Sequence, residues 1–235
     1  MARNLIEIPC VILAGGKGTR LQSVLSDIPK PMAPIGNQPF IKHLLDKLFQ
    51  QGLQHFILSV GYQKDIIIQY FNAINTPYSI QFVEEEKPLG TGGAISAAIS
   101  TLQTEYALII NGDTLFDIHY HSFVEQVQKL GVECGLALHR IQHGTRYGEV
   151  TLNGAIISSF SEKKEVNNGL INGGVYLLNI AKYKLHAFPQ TYSFEKDYLE
   201  QFVNEQQFAG IEMKGYFIDI GIPEDYIKAQ HELTH

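Results

Sequence analysis

Between residues 8 and 110, short apolar runs alternate with segments whose apolar residues recur at helical spacing, and this alternation restricts the fold more than any other feature. Ile8 to Ala14 is an apolar run that stops at Gly15-Gly16, which predicts a buried strand entering a loop. Phe40, Leu44, Leu45, Leu48 and Phe49 recur at helical spacing between Pro39 and Gly52, the usual punctuation of a helix. His55 to Val60 predicts a strand, Ile66, Ile67 and Tyr70 a helical face, and Ile80 to Val83 a strand. Ala94 to Leu102 predicts a helix and Ala107 to Ile110 a fully buried strand. Strands that alternate with helices build a mostly parallel sheet covered on both faces, with ligands at the carboxyl ends of the strands. Those ends are Gly15-Gly16, Glu84-Glu85-Glu86 and Asn111-Gly112-Asp113.

After about residue 131 short strands dominate: Cys134 to Leu138, Gly148 to Thr151, Ile156 to Phe160, Gly174 to Leu178, Phe208 to Lys214 and Tyr216 to Ile220. No linker separates the halves and no short period repeats. Residues 1–235 are therefore expected to form one domain, its halves (about 1–130 and 131–235) facing a shared cleft. With 45% hydrophobic residues, the 235-residue chain has apolar material for one substantial core.

A formal charge of −6, with no long run of Lys or Arg, argues against a nucleic-acid partner. Small polyanions stay open, because a few cations and backbone N–H groups suffice for a phosphate. Cys10 and Cys134 each sit inside an apolar run, which fits buried thiols in a reducing compartment. The first residues lack the long apolar region of a signal peptide, and no stretch approaches the roughly 18 apolar residues of a membrane span. A cytoplasmic protein without a membrane partner is expected; the oligomeric state is not legible.

Leu13-Ala14-Gly15-Gly16-Lys17-Gly18-Thr19-Arg20-Leu21 follows the first strand. Its glycines let the backbone approach a ligand closely and turn N–H groups toward phosphate oxygens, and Arg20 adds an always-charged planar fork. The spacing is neither Walker A nor Gly-x-Gly-x-x-Gly, and from these residues alone an ordinary glycine turn reads as well. Lys30 stands between Pro29 and Pro31, which fix the local backbone and present the lysine; a plain surface lysine is the other reading.

Gly15-Gly16-x-Gly18-Thr19-Arg20-Leu21 followed by Pro29-Lys30-Pro31 resembles the signature of the sugar-1-phosphate nucleotidyltransferases, over essentially the whole chain. The resemblance implies a Rossmann-like three-layer α/β sandwich with a mostly parallel mixed central sheet. It also implies that Leu13, Ala14, Gly15, Gly16, Gly18, Thr19 and Arg20 hold a nucleoside triphosphate while Lys30 engages phosphate. Glu85-Glu86-Lys87-Pro88-Leu89-Gly90-Thr91-Gly92-Gly93 looks like the family's second nucleotide loop, whose glycines would let the backbone pass close to a flat base. There Glu85 can accept from the adjacent N1 and N2 donors of guanine, with Gly90, Thr91 and Gly112 also on the nucleotide. Asp113 and Asp219 match the family's Mg²⁺ ligands, and oxygen ligands suit that hard cation. Tyr147-Gly148, Glu162-Lys163 and Asn172 match its sugar-phosphate contacts. Arg20, Lys30, Asp113 and Lys163 are the expected catalytic groups.

Ser26 to Ile35, Gly169 to Tyr176 and Tyr216 to Tyr226 look like the D-glycero-α-D-manno-heptose 1-phosphate guanylyltransferases. That subgroup implies GTP and heptose 1-phosphate as partners and GDP-heptose as product. The rivals are mannose 1-phosphate with GTP, another sugar 1-phosphate with UTP or dTTP, and a catalytically silent nucleotide-sugar sensor. The residues after Tyr226 are too few for the added acyltransferase or dimerising domain of some relatives, so a second activity is not expected. His119 and His121 are not expected to bind metal, and the aromatics of Tyr192 to Phe202 are expected in the core.

Overall fold

A computed structural model describes residues 5–16, 18, 28–144, 148–161 and 166–234. Strand β1 (Cys10–Leu13) is followed by a 3₁₀ turn, Lys30–Met32, and a small hairpin, β2 (Pro34–Ile35) and β3 (Gln38–Pro39). Then come α1 (Phe40–Gln50), β4 (His55–Val60), α2 (Lys64–Asn72), β5 (Ser79–Glu84), α3 (Gly90–Ile99), β6 (Tyr106–Asn111), β7 (Thr114–Asp117) and α4 (Tyr120–Leu130). The second half holds β8 (Cys134–Gly144), β9 (Glu149–Asn153), β10 (Ile156–Ser161), β11 (Val166–Asn179) and α5 (Ile180–Tyr183). A wide helical turn, Phe194–Glu200, precedes β12 (Phe208–Glu212), β13 (Tyr216–Asp219) and α6 (Pro223–Glu232).

Nine strands form one sheet in the order β5-β4-β1-β6-β11-β8-β12-β10-β9. The first four run parallel, and β11 joins the halves by pairing antiparallel with both β6 and β8. Strands β10 and β11 oppose the direction of the rest, so the sheet is mixed as expected, with its parallel part concentrated in the first half. Side chains alternate between two cores: Cys10, Ile12, Leu108 and Ile110 face one, Val11, Ala107 and Ile109 the other. Helices α1, α2, α4 and α6 cover the first through Leu44, Ile67, Phe123 and Ala229. The second is covered by α3 and the Phe194–Glu200 turn, through Ile95, Phe194 and Tyr198. Burying one such Leu or Phe contributes about 1.5–3 kcal/mol, which is why the period-2 and helical patterns fix these faces. Cys10 and Cys134 are free and buried. Among the described residues no helix is long and apolar enough to cross a membrane.

Three expectations need correction. Helix α3 starts at Gly90, a full turn before Ala94. Glycine is a poor helix former, but here close packing requires it. A Cβ on Gly92 would stand 2.2 Å from the Tyr192 ring, and one on Gly90 2.4 Å from the Tyr192 carbonyl oxygen. These glycines therefore admit the 190–192 segment. The β8–β11 pairing runs on past the apolar positions as far as Gly144 and Val166, carried by backbone bonding that hydropathy does not report. Among the described residues strand β13 pairs only with β7, as a separate two-stranded ribbon.

Candidate active site

The carboxyl ends of β1, β4, β5 and β6 open into a cavity of about 890 Å³. Leu13, Gly15, Gly16 and Gly18 form one wall. Ala14 and Gly112 were expected to touch ligand, but both are buried under that wall. Their N–H groups donate to Ser59 O (2.9 Å) and Leu13 O (3.0 Å), so they brace the strand ends. Two glycines on the loop answer to close approaches. A Cβ on Gly15 would stand 2.4 Å from Glu85 Oε1, and Gly18, at φ 58°, leaves room for the Lys30 stem, whose Cβ would be 2.7 Å away.

Glu85 continues from β5 and is half-buried at the cavity edge. Its Oε1 accepts from the Ser59 hydroxyl and its Oε2 from the Leu89 N–H, each at 3.1 Å. Each carboxylate oxygen accepts more than one bond, so the group is fixed in place and keeps acceptor capacity toward the cavity. Gly90 and Thr91 lie beside it. The Thr91 hydroxyl donates to Glu195 Oε2 (2.7 Å) and accepts from the Phe194 N–H (2.9 Å), and the Gly92 N–H in the first turn of α3 donates to the Tyr192 carbonyl at 3.0 Å.

Lys30, Asp113 and Asp219 meet at the other end of the cavity. Asp113 follows β6, Asp219 ends β13, and the Ile220 N–H donates to the Asp113 carbonyl at 3.1 Å, which holds the two segments together. Lys30, expected to engage phosphate, lines the cavity, and its Nζ lies 2.5 Å from Asp113 Oδ2 and 3.5 Å from Asp219 Oδ1. These two carboxylates are its anionic partners in the structure, and the stem is braced by Gly18. Burial pulls the ammonium pKa down, but Asp113 and Asp219 outweigh it and hold Lys30 above the ordinary lysine value. Asp219 Oδ1 also accepts from the Gly221 N–H at 2.7 Å. Among the described residues no group of three or more His, Cys, Asp or Glu side chains could hold a metal. The carboxylate pair nonetheless fits a hard cation that takes its remaining oxygens from phosphates and water, and a cationic group already sits on it.

Of the residues expected to hold the sugar phosphate, Asn172 donates its N–H to the Gly148 carbonyl at 3.0 Å, bringing those two positions together. Neither lines the cavity. Asn172 Nδ2 donates to the Tyr176 hydroxyl (2.8 Å) and its Oδ1 accepts from the Gly174 N–H (3.1 Å), so the side chain shapes the β11 bulge and keeps one amide hydrogen. Gly174 in turn sits against Asn111, which lines the cavity. Thr19, Arg20, Tyr147, Glu162 and Lys163 lie outside the described residues.

The cavity also recruits residues that sequence reasoning missed: Gly61, Tyr62, Asn111, Glu195 and, behind Glu85, Ser59. Ser59 carried a signal, being a lone polar residue in the apolar β4 run and fully buried. Glu195 carried none, since its carboxylate is held by Thr91 from across the fold as well as by its neighbour Ser193. His119 Nδ1 accepts from the Ser122 N–H and caps α4. Tyr192, Phe194 and Tyr198 are core, and Asp197 is exposed.

The model of the nucleotidyl transferase family matches residues 10–235. A D-glycero-α-D-manno-heptose 1-phosphate guanylyltransferase of Aneurinibacillus thermoaerophilus is 43% identical over 225 residues, spanning 96% of this chain and 98% of that protein. One of Campylobacter jejuni is 40% identical, over 92% of this chain and 96% of that protein. The crystal structure of HddC from Yersinia pseudotuberculosis complexed with GMP-PN superposes with a TM-score of 0.87 at 38% identity, covering 97% and 100% of the two chains.

Proposed function

This chain belongs to the nucleotidyl transferase family, and from that premise we propose that it transfers GMP from GTP to D-glycero-α-D-manno-heptose 1-phosphate, giving GDP-heptose and pyrophosphate. The observation that carries the chemistry is that one cavity joins a glycine-lined strand end and a fixed carboxylate to a lysine between two aspartates. The substrates follow the two full-length relatives that bear this activity.

A non-bridging oxygen of the sugar phosphate attacks the α-phosphorus of GTP in line. The new O–P bond forms as the bond to the α,β-bridging oxygen breaks, and pyrophosphate leaves with the electron pair. That oxygen is ionised near neutral pH, so no protein nucleophile or strong base is required, and catalysis consists of positioning and charge neutralisation. Glu85 accepts from guanine N1 and N2, while the glycine loop and the α3 N-terminus at Gly90 and Thr91 bind phosphate and ribose through N–H groups. Arg20 and Lys30 neutralise the leaving pyrophosphate. Lys163 aligns the attacking phosphate, with Glu162, the Tyr147-Gly148 turn and the remaining Asn172 hydrogen on sugar hydroxyls. Asp113 and Asp219 would hold Mg²⁺, which supplies charge neutralisation to the phosphates when bound. Both halves act as one domain, and a cytoplasmic location suits its two unpaired thiols.

The test is pyrophosphate release with Mg²⁺, crossing GTP, ATP, CTP, UTP and dTTP against heptose, mannose and glucose 1-phosphates. Release confined to GTP with the heptose phosphate is expected. Release with another pair would overturn the substrate, and silence from folded protein across the panel would overturn the activity.

A further inference from the structure

Lys30 has two claims on it: phosphate, by its place at the cavity, and the carboxylates, by its contacts. Its Nζ is 2.5 Å from Asp113 Oδ2 and 3.5 Å from Asp219 Oδ1, with only 12% of the side chain exposed. The ammonium also lies against Gly221, 3.1 Å from where a Cβ there would stand. A Mg²⁺ ion binds carboxylate oxygen at roughly 2.0–2.1 Å, so on this pair it would stand beside the ammonium that already contacts both carboxylates. Two cations so close repel strongly in a partly desolvated site. The ammonium and the metal ion are therefore alternatives on this pair.

We propose that Lys30 is the resident cation of the Asp113–Asp219 pair and yields it to the divalent ion when a triphosphate arrives. This inference rests on the reading of Asp113 and Asp219 as metal ligands. Without nucleotide, a metal ion has to expel an ammonium that is paired with both aspartates. With nucleotide, the phosphate oxygens receive the displaced ammonium and complete the metal's oxygen shell. Metal and nucleotide thus bind cooperatively through one lysine, and divalent metal alone binds poorly.

The competition has a measurable size. When the competent state is populated a fraction of the time, apparent affinity falls by that fraction. If Lys30 occupies the pair nine-tenths of the time, removing it tightens nucleotide-free metal binding on the order of tenfold.

The test is Mn²⁺ binding by electron paramagnetic resonance, without nucleotide, to the whole protein, Lys30→Met and Lys30→Met/Asp113→Asn. Lys30→Met is expected to bind Mn²⁺ on the order of tenfold more tightly than wild type, and the double variant to lose that gain. Lys30→Met removes the ammonium from the two acids, so Lys30→Gln, which keeps a hydrogen-bond donor there, serves as a second variant. In both, Mn²⁺ is expected to raise the melting temperature more than it does in wild type. Equal or weaker Mn²⁺ binding by folded Lys30→Met and Lys30→Gln, alongside Asp113-dependent Mn²⁺ binding in the presence of a non-hydrolysable GTP analogue, would overturn this inference alone. No Asp113-dependent Mn²⁺ binding under either condition would overturn the metal-ligand reading and this inference with it.

Discussion

Gly15 and Glu85 approach so closely that a Cβ on the glycine would stand 2.4 Å from the carboxylate Oε1 and 3.3 Å from the Gly61 backbone nitrogen. The strand-end loop and the carboxylate assigned to the base are thus one packed unit. Gly15→Ala is expected to push the Glu85 carboxylate off its Ser59 and Leu89 donors. A bond to a charged group is worth about 1.5–3 kcal/mol, so KM for GTP should rise at least about tenfold. Losing those donors also leaves the buried Ser59 hydroxyl unpaired, so the thermal melt should fall by a few degrees as well. An unchanged KM in steady-state kinetics would separate Gly15 from nucleotide binding.

Glu85→Gln tests base recognition itself. Glutamine keeps a single acceptor oxygen where guanine presents two adjacent donors. With GTP, kcat/KM should fall about 10- to 100-fold. With inosine triphosphate, which lacks the exocyclic amine, the fall should be clearly smaller. Equal falls would mean that Glu85 only holds Ser59 and Leu89 in place.

The layered architecture was legible because each strand of the first half is a short apolar run and α1 is punctuated at both ends by Pro39 and Gly52. Asp113, Asp219, Lys30 and Glu85 were legible as site candidates because polar residues end apolar strands or follow rigid turns. What stayed hidden depends on contacts distant in sequence. Glu195 in the cavity meets Thr91 across the fold, and the Gly90–Gly93 run packs against Tyr192, a contact its sequence does not announce. The sequence also does not reveal that Asp113 and Asp219 converge on the Lys30 ammonium.

Two glycines that look alike in sequence should respond oppositely to alanine. A Cβ on Gly92 would meet the Tyr192 ring at 2.2 Å, whereas one on Gly16 meets nothing within 4 Å. Overpacking of this kind costs about 1–3 kcal/mol, or roughly 2–10 °C of melting temperature for a chain of this size. Gly16→Ala should stay within about 0.5 kcal/mol of wild type. Its loss should instead fall on GTP binding if phosphate rests against that glycine. Calorimetry of the two variants decides the first point, and a stable Gly92→Ala would refute the tight packing.

His139 stacks on Phe217, with ring centroids 4.7 Å apart and planes 17° from parallel, and burial holds its pKa below the usual 6.5. The folded state thus disfavours the imidazolium, and the unfolded chain binds more protons just below the unfolded value. Stability rises with pH through that window, is fully present above about 6.5, and is lost as pH falls. His139→Phe keeps the stack and removes the proton. Between pH 7.5 and 5.5 its melting temperature should fall less than that of wild type. Parallel profiles would show that the ring titrates as a free histidine.

Helix α6 begins directly after the Asp219–Gly221 segment and reaches back to the hairpin that follows Lys30. Gln230 Oε1 accepts from the Gly36 N–H at 3.2 Å while its Nε2 donates to the Pro34 carbonyl, and the Tyr226 hydroxyl donates to the same carbonyl at 2.7 Å. These bonds tie the segment bearing Lys30 to the one bearing Asp219. Gln230 is partly exposed, so Gln230→Ala should cost only about 1 kcal/mol of stability. Its larger effect should be on turnover, because a shift of about 1 Å in a positioning element can cost up to 10²-fold. In Gln230→Ala/Tyr226→Phe we expect kcat to fall about tenfold or more, while KM for GTP, which depends on the glycine loop and Glu85, stays near wild type. A fall in melting temperature with kcat intact would mean that α6 merely covers the core and does not position Lys30.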